Sequence, residues 1–76
     1  MEDVHQMCYN EAQKLLFVVF RTRILVYKVG FSSLRFLRKI ENLNGPEISK
    51  LFSLENEVII RSDKDKAIYI LEIKNI

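Results

Sequence analysis

Glycine, proline, cysteine and tryptophan are scarce in this chain: two Gly, one Pro, one Cys and no Trp among 76 residues. With 49% apolar residues and so little Gly and Pro, a low-complexity or disordered chain is excluded. The single cysteine, Cys8, has no partner for an internal disulfide, which excludes a secreted disulfide scaffold. No apolar run approaches the roughly 20 residues of a membrane-spanning helix, and Arg21 and Arg23 interrupt the longest candidate. The opening MEDVHQ is acidic and polar, unlike a signal or transit peptide, so an intracellular, soluble protein is expected, in cytoplasm or nucleus. Gly-rich phosphate loops, nucleophile elbows and paired catalytic carboxylates are missing as well. His5 and Cys8 are the only residues of their kinds, too few for a four-ligand metal site within one chain. Their odd spacing in a strand sends them to opposite faces. Asp63 and Asp65 interleave with Lys64 and Lys66 and lack the glycine of a calcium loop, so they read as a solvated turn. The expectation is a protein that is not an enzyme, with no catalytic residue, no metal, no cofactor and no small-molecule substrate.

What the chain does contain is strand. Leu15 to Phe20 is unbroken apolar sequence, Arg21-Thr22-Arg23 interrupts it, and a second run extends from Ile24 to Val29. Val18, Val19, Ile24, Val26 and Val29 are β-branched and Phe17, Phe20 and Tyr27 aromatic, so the pair reads as a hairpin. Val4 to Tyr9 is a weaker strand before it, and Leu34 to Ile40 (LRFLRKI) an outer, half-solvated strand after it. Asn42 to Pro46, with its Asn-Gly step and proline, is the strongest turn signal. Ile48 to Leu54 is a further strand. Glu57 to Arg61 and Ala67 to Ile73 make a second hairpin around the polar loop 62–66. Leu34, Leu37 and Ile40 also fall at helical spacing, but seven residues are short for a helix, so the fold class is all-β, with about seven antiparallel strands and no stretch that reads clearly as helix. The expected core is Leu15, Phe17, Val19, Ile24, Val26, Leu51, Ile59, Ile68 and Ile70.

The two hairpins repeat. Aligning Ile24 with Ile68 sets a period of 44 residues and pairs Val26 with Ile70, Tyr27 with Leu71 and Val29 with Ile73. Val4, Met7 and Cys8 then fall opposite Ile48, Leu51 and Phe52. The single domain 1–76 divides into a blade-like unit 1–43 and a second unit 47–76 that lacks its outer strand. A period in the forties built from four short strands suits a propeller blade. RILVYKV and AIYILEI resemble the third strand of WD40-like β-propeller blades, with Ile24 and Val26, or Ile68 and Ile70, at the aliphatic places. Tyr27-Lys28 and Leu71-Glu72 stand where that family has Trp-Asp, and Ser62-Asp63-Lys64-Asp65 resembles the loop before that strand. More narrowly, KLLFVVFRTRILVYKV followed by SDKDKAIYILEI resembles the N-terminal blades of the WD-repeat non-catalytic subunit of the tRNA guanine-N7 methyltransferase. That resemblance implies support of a catalytic partner and of tRNA binding.

Two blades do not close a propeller, which typically needs about four to eight. The strand Ala67, Ile68, Tyr69, Ile70, Leu71, Glu72, Ile73 would then be an apolar edge with one mid-strand charge, and such edges pair with something. The missing neighbour would come from another copy, another chain or Val4 to Tyr9. The first functional expectation is a non-catalytic protein-interaction module that completes or docks on a larger assembly through this edge, with a protein partner or self-association. The alternative rests on charge. Seven bases and no acid lie between Ala12 and Ile40, whereas seven acids outnumber five bases from Glu41 onward. Arg21, Arg23, Arg35, Arg38 and Lys39 are the candidate contacts to phosphate or an acidic partner, as in an RNA-associated accessory protein.

Overall fold

The computed structural model describes residues 3–41 and 47–76, so the turn expected at 42–46 lies outside the described residues. Seven strands are present: β1 (Gln6–Asn10), β2 (Leu15–Val19), β3 (Arg23–Val29), β4 (Leu34–Glu41), β5 (Lys50–Ser53), β6 (Glu57–Ser62) and β7 (Ala67–Glu72). The first four form one antiparallel sheet in sequential order, and the last three form a second. A one-turn 3-10 helix, Ile73–Asn75, follows β7. Val4 to Tyr9 is not the neighbour of β7 within the chain: β1 pairs with β2 on one side and meets β5 on the other.

Local chemistry explains the turns. The β1–β2 and β6–β7 hairpins each close through a four-residue turn whose last member, Lys14 or Lys66, has positive φ, 58° and 52°. In the first, the Gln13 N–H donates to Asn10 Oδ1 at 2.9 Å, an Asx-type turn. In the second, the Ser62 hydroxyl donates to Asp65 Oδ2 at 3.3 Å, so Asp65 braces the loop through a side chain. A register shift between Val26 and Tyr27 leaves Leu37 as an extra residue of β4, a β-bulge.

The core lies between the sheets. Leu15, Phe17, Val19, Ile24 and Val26 on the first sheet form one buried cluster with Ile48, Leu51, Val58, Ile60 and Ile73 from the second half. Phe17, Val19 and Val26 have no exposed surface at all. The expected core is corrected at three places. Ile59 is half-buried, Ile68 is 66% exposed and Ile70 is 60% exposed, because they lie on the face of the second sheet that points away from the first. Val58, Ile60, half-buried Leu71 and Ile73 fill the core instead. Ile73 is also corrected as an edge-strand residue: the strand ends at Glu72, and Ile73 turns into the 3-10 helix with its side chain buried.

A domain of this size has roughly 4–11 kcal/mol of net stability, and truncating a fully buried Phe costs about 3–5 kcal/mol. Phe17→Ala is therefore expected to lower the unfolding free energy by about 3–5 kcal/mol, a large share of the total. Ile68→Ala, on the outward face, should shift the urea midpoint by less than about 1 kcal/mol equivalent. Denaturation followed by circular dichroism checks both, and equal effects would contradict the assigned faces.

Candidate functional site

The two sheets meet edge to edge as well as face to face, and the edges are joined by side chains. β1 and β5 are both edge strands, and no ladder links them. The Gln6 side chain substitutes for one: Nε2 donates to the Leu51 carbonyl at 2.8 Å and the Leu51 N–H donates to Oε1 at 2.8 Å. One amide thus satisfies both backbone groups of a residue whose side chain is buried. Asn10, itself 5% exposed, donates from Nδ2 to Ser53 Oγ at 2.9 Å and to the Leu54 carbonyl at 2.7 Å. His5 Nε2 lies 2.7 Å from the Ser49 carbonyl, and the Ile48 N–H bonds the Arg21 carbonyl at 2.6 Å. His5 is thereby a seam residue, and Cys8, on the core-facing row with Phe17, packs half-buried against the cluster. Sequence reasoning missed Gln6 and Asn10. Their signal is a row of polar or small residues, Gln6, Cys8 and Asn10, on one face of a strand.

Away from that seam, β7 is open along its outer side. The Ile73 N–H bonds the Asn56 carbonyl at 2.9 Å, and the β6–β7 register continues from that pair. Antiparallel alternation then directs the backbone groups of Ala67, Tyr69 and Leu71 to β6, and those of Ile68, Ile70 and Glu72 outward. The equivalent positions of β3 are Ile24, Val26 and Lys28, since Arg23, Leu25, Tyr27 and Val29 serve β2. In the first sheet β4 lies against them. The second sheet has no such strand among the described residues. An apolar cleft of about 160 Å³ borders the same place, lined by Ile24, Ile40, Ile48, Ile60, Tyr69 and Leu71 with Glu41 beside them.

The five basic candidates do not share one surface. Arg35 and Arg38 pair with Lys28 and Val26 on the core-facing side of β4, whereas Lys39 pairs with Leu25 on the opposite side, where Arg23 stands opposite Glu41. Arg21 sits in the β2–β3 turn. Several of these groups already have partners. Arg38 donates to the Asn75 carbonyl at 2.6 Å, Lys39 pairs with Glu41 at 2.9 Å, and the Arg23 guanidinium lies 4.4 Å from the centre of the Phe20 ring. Hydrogen bonding and charge from Lys39, helped by Arg23, hold the Glu41 carboxyl below its ordinary value. Among the described residues, no three His, Cys, Asp or Glu side chains gather as a metal site, and no helix is long and apolar enough to cross a membrane.

The chain matches no protein-family model, no curated protein and no solved structure.

Two outcomes follow from this geometry. Gln6→Ala strands the Leu51 N–H and carbonyl, and is expected to destabilise by about 1–3 kcal/mol in a denaturant titration. Gln6→Glu should fare no better at neutral pH, because a carboxylate accepts the N–H but faces the carbonyl with no proton. For Glu41, Lys39→Ala should raise the carboxyl pKa toward its ordinary value in an NMR titration. The folded-state value is depressed, so any stability the pair contributes is present at neutral pH and lost as pH falls through it.

Proposed function

We propose that this chain is a non-catalytic protein-interaction module, built of two propeller-like blades, that docks on a larger assembly through the open edge of β7. One observation carries the reading. Ile68, Ile70 and Glu72 present outward the backbone groups whose counterparts in the first sheet face β4. A row of N–H and C=O groups that is unpaired among the described residues and flanked by exposed isoleucines is a template for strand addition. The incoming strand would take the place that β4 holds in the first sheet. Its inward side chains would cover the apolar cleft beside Tyr69 and Leu71. Backbone bonds supply affinity in this mode, and side-chain pockets supply selectivity.

Contact to RNA phosphates is the weaker reading. Phosphate binders gather their cations on one face, and here Arg35 and Arg38 point to one side of β4 and Lys39 to the other. The WD40-like sequence pattern supports a role as an accessory component, and it is compatible with the sequential antiparallel strand order of both units. The tRNA methyltransferase subunit stays a narrower version of the same proposal.

The test is a proline at Ile70. Its N–H points to the outer edge and makes no bond to β6, so Ile70→Pro spares the sheet's own ladder and removes a donor from the docking edge. The matching control, Ile70→Ala, keeps the N–H. Affinity purification from cells that make the protein is expected to recover a strand-donating partner with wild type and Ile70→Ala and to lose it with Ile70→Pro. Equal recovery by both variants would overturn edge pairing.

A further inference from the structure

Both sheets carry apolar residues on both faces, and their contact buries one face of each. The uncovered face of the first sheet presents Met7, 61% exposed, together with Tyr9, Leu16, Val18, Leu25 and Tyr27. That of the second presents Phe52, Ile59, Ile68 and Ile70. The registers show how these faces are related. In the first sheet, Cys8, Phe17 and Val26 lie side by side in a row facing the core. The same row of the second sheet is Phe52, Ile59 and Ile70, and it faces away. Conversely, Met7, Val18 and Leu25 face away, and their counterparts Leu51, Ile60 and Tyr69 face the first sheet.

The sheets are thus stacked in series in the same orientation. The outer face of the second sheet corresponds, row by row, to the face that the first sheet buries. The outer face of the first corresponds to the face that the second buries. The internal interface is therefore a template for a contact between two molecules. Repeat units that cannot bury their faces alone gain a continuous core by stacking.

We propose that copies of this chain associate head to tail, with the Met7–Val18–Leu25 face of one copy seated on the Phe52–Ile59–Ile70 face of the next. Such a contact is heterologous: two different surfaces meet, and each copy keeps one of each for further neighbours. It retains only part of the internal interface: Phe52, Ile59, Ile68 and Ile70 repeat the Cys8, Phe17, Ile24 and Val26 positions, whereas Glu57 and Arg61 stand where Leu15 and Val19 are buried, and Leu54 stands where Asn10 donates. Lys50 stands where Gln6 stands, and its ammonium can donate to the Met7 carbonyl of the next copy but accepts nothing from the Met7 N–H. The contact between copies is accordingly weaker than the one within a chain and depends on concentration. This proposal goes beyond β-edge docking, since it uses a sheet face and leaves the β7 edge open.

The experiment uses the full chain and two face variants, Met7→Glu and Phe52→Glu, each at an exposed position, with folding checked by circular dichroism. Where either fails to fold, Tyr9→Glu or Ile68→Glu replaces it on the same face. Light scattering across a concentration series is expected to give wild type more than the mass of one chain. Each variant alone should weaken association roughly 100-fold, since a buried unpaired carboxylate is strongly penalised. An equimolar mixture should then form a complex of two chains through the one intact face of each. A folded wild-type monomer at high concentration overturns the proposal. So does self-association that persists in either variant, or a mixture that stays monomeric. Edge docking is separated from it by Ile70→Pro and Ile70→Ala: the backbone distinction matters to edge pairing, whereas stacking loses the isoleucine side chain in both.

Discussion

Everything in this fold depends on one face-to-face contact between two thin antiparallel sheets. A three- or four-stranded sheet cannot bury anything by itself, because each side chain points to one side or the other. Phe17, Ile24 and Val26 are buried because Leu51, Val58 and Ile60 lie against them, and the dependence is mutual. A chain of 76 residues buries only about 60–65% of its unfolded surface, so there is no second core to fall back on. The contact also leaves each sheet with an apolar face uncovered, and the proposed association between copies rests on those faces.

Apolar faces slide unless something directional holds them in register. The Gln6 and Asn10 amides do this, reaching from β1 to backbone groups of β5 and Leu54 that no strand meets. Their geometry is specific to one relative position of the sheets, because a displacement of one residue would present Gln6 with the wrong alternation of N–H and carbonyl. The amides therefore select the alignment, and the apolar cluster supplies most of the free energy. His5, the only histidine, belongs to the same seam through the Ser49 carbonyl, which accounts for its place without any chemistry of its own.

Strand positions were legible in the sequence because β-branched runs and polar turns say where backbone is extended. All seven strands were anticipated to within a few residues. The burial of the second hairpin was only partly legible. Period-two alternation identifies a buried face only when the other face is polar: AIYILE is largely apolar on both, whereas EVIIRS sets Val58 and Ile60 against a face where Ile59 lies between Glu57 and Arg61. The repeat then misled: Ile68 and Ile70 align with buried Ile24 and Val26, yet equivalent faces of two units stacked in series cannot both face the same interface. The basic residues of β4 looked like one cluster in sequence, and the pleat, with its bulge at Leu37, divides them between two sides. Gln6 and Asn10 escaped notice because single amides on a weak strand carry little signal without knowledge of the edge they meet.

The same error points to what the outward residues are for. A sheet meant to face water on one side has no reason to place Phe52, Ile59, Ile68 and Ile70 there, when lysine or threonine would fold as well and resist association. These residues instead repeat the row that the first sheet buries against its neighbour, and the outer side of β7 repeats the row of backbone groups that β4 lies against. Two independent features of the second sheet, its face and its edge, are thus left in the state that the first sheet's features would have if their partners were removed. A stability argument alone would have selected against both. The proposed contacts with other sheets account for their joint presence, since folding energy and binding energy would then come from the same apolar rows.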